Sequence, residues 1–235
     1  MQPLRLEVCA LTIESSKVVG GVGALLLLLG SLPYIGEFSF GVLGLVGVIM
    51  IFVALNGFAG YYKERGIFTS AVYALVVGIV GVVVTVSVAL YFLFDTDIIT
   101  NFLKDVFPSW NGSWTSISSL AGSSYNTSNL DMGHVAAFLG ALFAVLVVVW
   151  VFAIVAAFYV RRSLRMVAEK TSVKHFGTAG LLVLIGAFLL IIFVGFILLW
   201  VAEILLIIAF FAVKTDSSQP MMGQAAPPST VPTPV

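Results

Sequence analysis

Gly177–Val213 reads GTAGLLVLIGAFLLIIFVGFILLWVAEILLIIAFFAV, with one charged side chain, Glu203, in the whole stretch. As a single helix it would be about 55 Å long at 1.5 Å per residue. A bilayer core is about 30 Å thick, and ordinary tilt does not absorb the excess. Two spans of about 16–18 residues, turning near Phe193-Val-Gly195, fit the thickness, each at the lower limit for crossing. That reading decides the fold. It makes the chain an all-α polytopic transmembrane helix bundle of six spans, with five as the alternative. It also returns residue 214 to the side on which the first span starts.

Moving outward, residues 161–176 open with Arg161-Arg162-Ser-Leu-Arg165 and continue through Lys170 and Lys174. This is the main positive cluster, read as a basic cytoplasmic loop by the positive-inside rule. It is a topology signal first, with anionic-lipid contact a secondary role. Residues 134–160 are the fourth span. Before it lies Asp95–Gly133, the one long polar segment within apolar sequence. It carries one basic residue, Lys104, against Asp95, Asp97, Asp105 and Asp131. Two glycosylation sequons, Asn111-Gly-Ser113 and Asn126-Thr-Ser128, also place it outside the cell. Ile98, Ile99, Phe102, Leu103, Val106 and Phe107 recur at helical spacing, so Asp97–Phe107 is expected as an amphipathic surface helix ended by Pro108. Trp110 and Trp114 suit the headgroup level, and Thr115–Asn129, rich in Ser, Gly and Asn, is expected to be exposed and loosely structured.

Residues 18–94 hold three spans. The first runs from about Val18 to Leu32, with Ser15 or Ser16 as N-cap, and ends at Pro33 before an outer turn at Tyr34–Phe38. The second runs from about Ser39 to Tyr62. Its Gly41, Gly44 and Gly47 form a stripe expected to let a neighbouring backbone come close. A Tyr61–Gly66 turn leads into the third span, Ile67–Phe94. That span is rich in Val and Ile, but it must satisfy its own backbone in lipid and is therefore helical. Residues 1–17 form a cytoplasmic or interfacial segment. The tail, 214–235, is Pro-rich and has no core-forming pattern, so it is expected to be disordered.

The composition fits: 60% hydrophobic, 9% charged, with a mean hydropathy of +1.14. That is an integral membrane protein. Eleven basic and eleven acidic residues balance, and nothing points to nucleic acid. The balance hides an asymmetry: six spans put every Lys and Arg except Lys104 inside, ten of the eleven. Five spans would move only Lys214, so length and not charge selects six. One cysteine, Cys9, allows no intrachain disulfide, and with two distant histidines it forms no metal-ligand cluster.

An internal echo links two hairpins. Lys17-Val-Val-Gly20-Gly-Val-Gly23 opens the first, and Lys174-His-Phe-Gly177-Thr-Ala-Gly180 opens the last. Both start inside, which would make them parallel repeats. Glu14-Ser-Ser-Lys17 running into GGVGALLLLLGSLPYIG, then VLGLVGVIMIFVALNGFAGYYKERGIF, resembles an archaeal-type membrane family, domain of unknown function number 996. The resemblance covers roughly residues 12–213. It brings no activity, and it implies an archaeal surface membrane with its own N-glycosylation. The order of short and long loops in spans one to four is similar to that of tetraspanins, but the Cys-Cys-Gly motif is absent, so the likeness is one of topology alone.

Glu203 is the one charge deep in a span. An ionised side chain at mid-membrane costs on the order of 3 kcal/mol, so it should face protein, paired or protonated. Asn56, Thr85, Ser87 and His134 are the polar groups considered near it. A transport route needs several such groups, and the spans offer few, so an intramembrane polar contact through Glu203 and Asn56 is the preferred reading over an ion or proton site. No catalytic triad, nucleophile elbow or zinc-protease motif is present. The chain is therefore expected to be non-enzymatic and to need no cofactor. It is read as a structural or accessory component of a membrane assembly displaying a glycosylated loop. Its partners would be membrane lipids and a membrane protein or further copies of itself. A small transporter or channel using Glu203 is the alternative.

Overall fold

A computed structural model describes residues 13–31, 39–122 and 130–214. The expectations for residues 1–12, the Tyr34–Phe38 turn, Asn126 and the tail from Thr215 lie outside those residues.

Seven α-helices run through the described residues: α1 Ile13–Gly30, α2 Ser39–Tyr61, α3 Arg65–Leu90, α4 Ile98–Val106, α5 Met132–Thr171, α6 Lys174–Leu189 and α7 Val194–Phe211. All but α4 are long and apolar enough to cross a membrane. The helical choice follows from lipid, where a segment without water must close its own hydrogen bonds. That requirement overrides the β-branched run in α3. The spans pack in a chain of neighbours: α2 on α1, α1 on α7, α7 on α6, α6 on α5, α5 on α3. The link from α3 back to α2 is much thinner.

Lys17 Nζ donates to Val213 O at 3.1 Å, so the start of α1 and the end of α7 share one end of the bundle, here called the base. A cation at a helix C-terminus satisfies an orphan carbonyl there. The base holds the densest packing. Phe58 stacks on Phe210 with centroids 5.9 Å apart, and Phe176 meets Phe210 edge-on at 5.1 Å. Ile67, Val167 and Val213 close around them. Each aromatic pair adds about 0.5–1.5 kcal/mol beyond area burial. Ser163 Oγ donates to Ile67 O at 2.8 Å and pins α5 to the start of α3.

At the opposite end, α6 stops at Leu189, and Leu190–Ile192 tightens into a 3₁₀ turn. Phe193 takes a left-handed conformation at φ 62°, and α7 begins at Val194. This is the hairpin expected from length. Its crossing requires glycine twice. A Cβ on Gly195 would strike Gly186 O, and one on Gly186 would sit 3.1 Å from Leu199 Cγ. Trp150 Nε1 donates to Phe188 O at 3.1 Å, supplying a donor where the α6 ladder runs out.

Two boundaries differ from expectation. Ser15 and Ser16 lie inside α1, which begins at Ile13. The basic segment after Val160 is helix as far as Thr171, where Ser172 turns left-handed at φ 57°. At forty residues α5 is about 60 Å long and outruns a bilayer. Packing sustains it: Ser163, Leu164 and Val167 stay buried, and Arg165 pairs with Glu169 one turn on at 2.9 Å.

Candidate functional site

Glu203 sits in the middle of α7, and Ser31 follows the last turn of α1. Ser31 Oγ lies 3.1 Å from Glu203 Oε2 and 2.8 Å from Leu28 O. The carboxyl group is thus met by a neighbouring span of the same chain. The other polar groups considered for it are elsewhere. Asn56 faces a cavity between α2 and α3. Ser87 Oγ donates to Val83 O at 2.8 Å within its own helix. Thr85 lines a small apolar cavity against α5, and His134 Nδ1 pairs with Asp105 at 2.8 Å. Sequence reasoning missed Ser31; the one signal was its place at the end of a Leu-rich run just before Pro33.

The glycines divide. Gly23 and Gly47 face one another across α1 and α2: a Cβ on Gly47 would sit 2.7 Å from Leu27 N, and one on Gly23 2.9 Å from Gly47 O. Gly20 receives the Phe210 ring. Gly180 lies under α5, with Arg161 Cα 3.2 Å from its Cβ position, and a Cβ on Gly177 would sit 3.7 Å from Ala168 Cβ. Gly23 therefore packs on its own hairpin partner, whereas Gly180 packs on α5, so the two echoed motifs are not packing equivalents. Among the described residues the Cβ positions of Gly41 and Gly44 meet no atom within 4 Å, though a Cβ on Gly30 would sit 2.7 Å from Gly44 N. Of the stripe expected over Gly41, Gly44 and Gly47, Gly44 approaches α1 through its backbone and Gly47 through its Cβ position. Three residues advance about 300°, so each step drifts about 60° off the contact line.

At the far end, α4 forms where the apolar spacing placed it. It lies on α5 through a Phe102–Phe138 stack at 4.2 Å, reinforced by the Asp105–His134 pair. The Trp110 ring is buried, and its Nε1 donates to Ser113 O at 3.1 Å. Trp114–Gly122 is a 3₁₀ run, more ordered than its Ser-rich composition led us to expect. Asn111 Oδ1 accepts from Ser113 N at 2.9 Å and Ser116 Oγ at 2.7 Å, and the residue is exposed.

At the base, Arg162 and Arg165 are exposed and Arg161 is partly covered. Lys170 Nζ reaches Glu64 Oε2 at 3.2 Å and clips α5 to the turn between α2 and α3. Beside that turn, Asn56, Gly60, Lys63, Arg65 and Thr69 line a cavity of about 520 Å³. Lys63 holds a left-handed backbone, φ 53°.

A sequence model described as "Protein of unknown function (DUF996)" matches residues 43–204, more than half of the chain. Among curated proteins, "Uncharacterized protein MJ1644" of Methanocaldococcus jannaschii is 26% identical over 204 residues, 87% of this chain and 94% of that protein. No solved structure matches.

Proposed function

The chain belongs to the DUF996 family, whose function is unknown, and from that premise we propose a non-enzymatic, multi-pass protein of the cell membrane. It serves as a structural or accessory component of a membrane assembly. Both ends lie in the cytoplasm, and loop 95–133 faces outward with glycans at Asn111 and Asn126. The base gathers Lys63, Arg65, Lys170 and Lys174 at helix ends and turns, with Arg161, Arg162 and Arg165 on the last three turns of α5, which supports a cytoplasmic base. Exposed apolar faces, above all on α3 with Tyr73, Ile79 and Val82, support lipid or a partner span around the bundle.

The observation that carries the reading is the Ser31–Glu203 contact at 3.1 Å. A conducting carboxylate would line a polar route. Glu203 instead meets Ser31, and none of Asn56, Thr85, Ser87 and His134 joins it. The test is ion and proton flux in liposomes with the native protein and with Glu203→Gln. No flux from either, with a folded bundle, is expected. Flux that Glu203→Gln abolishes would replace this reading with a small transporter or channel.

A further inference from the structure

We propose that the cleft between α2 and α3 holds one anionic membrane lipid, with its headgroup phosphate at Lys63 and Arg65 and its hydrocarbon along the groove. The proposal rests on the membrane-spanning reading and adds a ligand to it. The base of the cleft is the cavity of about 520 Å³ lined by Asn56, Lys63, Arg65 and Thr69. No acid lines it. Glu64, between the two cations in sequence, is engaged by Lys170 at 3.2 Å. Among the described residues neither Lys63 nor Arg65 has an ion-pair partner. Two uncompensated cations and an amide at a helix end, at headgroup level, match a phosphate.

The cleft does not stop there. Asn56 and Phe68 also line an apolar cavity of about 280 Å³ that continues along α2. That cavity shares Val48, Phe52 and Leu75 with a third, of about 500 Å³, bounded by α3 and α5. A basic mouth thus opens into a hydrocarbon-lined groove. The thin α2–α3 contact leaves it accessible from the side. An amphiphile with an anionic head satisfies both parts at once. A free phosphate would leave the groove empty. A second copy docked two-fold here would oppose Lys63 and Arg65 to their own kind, which is repulsive.

The test is native mass spectrometry of the delipidated protein, titrated with dioleoylphosphatidylglycerol or with dioleoylphosphatidylcholine. The tails are identical and only the head charge differs. One phosphatidylglycerol is expected to bind in preference. Lys63→Asn, which tolerates the left-handed backbone, and Arg65→Gln should each weaken it about fivefold. Lys63→Arg and Arg65→Lys should hold it. Gly78→Leu, whose Cβ position meets no atom within 4 Å, should fill the groove and exclude the tails. Lys174→Gln with Lys214→Gln, cations outside the cleft, should leave binding intact. Helicity by circular dichroism confirms that each variant is folded. Equal retention of the two lipids would overturn the proposal. So would equal loss in the Lys174/Lys214 pair, tight binding of tail-less glycerol phosphate unaffected by Gly78→Leu, or a dimer that lipid displaces. None of these outcomes bears on whether Glu203 conducts, so this proposal and the structural reading fail separately.

Discussion

Ser31 has one hydroxyl proton and two oxygen neighbours, Leu28 O at 2.8 Å and Glu203 Oε2 at 3.1 Å. A carbonyl has no proton to give. The Ser31 hydroxyl is thus shared between the carbonyl of its own helix and the Glu203 carboxyl oxygen, both of which accept from it. A hydroxyl donor offsets part of the cost of placing this polar group away from water. Because its partner lies in the same chain, the contact holds α1 to α7. Glu203→Gln should keep the fold, since the amide oxygen can still accept from Ser31. Glu203→Leu should cost about 1–2 kcal/mol, the size of a membrane hydrogen bond, and Ser31→Ala should cost no further energy on top of it. Unfolding titrations of the two single variants and the double variant measure that coupling; additive losses would show that the contact is not made. Asn111 is a second residue-scale test. It is exposed and its Oδ1 is engaged by Ser113 and Ser116, leaving the amide nitrogen to take a glycan. Peptide masses from native protein should show glycans at Asn111 and Asn126, and unmodified masses at both would reject the assignment.

The α6–α7 hairpin shows what sequence length can and cannot say about an element. The turn at Phe193–Gly195 followed from bilayer thickness alone. The crossing that builds it did not, because Gly186 and Gly195 are nine positions apart and share no motif. The α2 stripe divides: Gly47 has its Cβ position on the α1 seam, Gly44 lies beside Gly30 through its backbone, and helical drift turns the Cβ position of Gly41 away from every described residue. Substitution separates the two. Gly195→Ala drives a Cβ into Gly186 O and should destabilise by about 1–3 kcal/mol, as overpacking does. Gly41→Ala meets no described residue and should be neutral, or stabilising by up to about 1 kcal/mol from helix propensity. Unfolding midpoints in mixed micelles check both, and similar losses at the two sites would contradict the packing described. The amphipathic α4 was legible because six apolar residues keep one period. Its anchor on α5 was not, since Phe102 and Phe138 are far apart in sequence.

At the scale of the whole molecule, the bundle is a chain of packed neighbours, tight at the base and open between α2 and α3. Span count and helix class were legible because lipid admits so few solutions for an apolar chain. Which helix meets which was not, because apolar faces in lipid carry little periodic signal and the pairing is settled by small residues and single hydrogen bonds. The family resemblance read from residues 12–213 agrees with the match over residues 43–204. Sidedness is the claim on which the rest depends, since it sets the cytoplasmic base and the displayed loop. The direct measurement is cysteine labelling of intact cells with an impermeant reagent, in a Cys9→Ser background, comparing Ile117→Cys with His175→Cys. Both positions are exposed. The account predicts that residue 117 is labelled in intact cells and residue 175 only after lysis. Labelling of residue 175 from outside, or of both residues from one side, would contradict it.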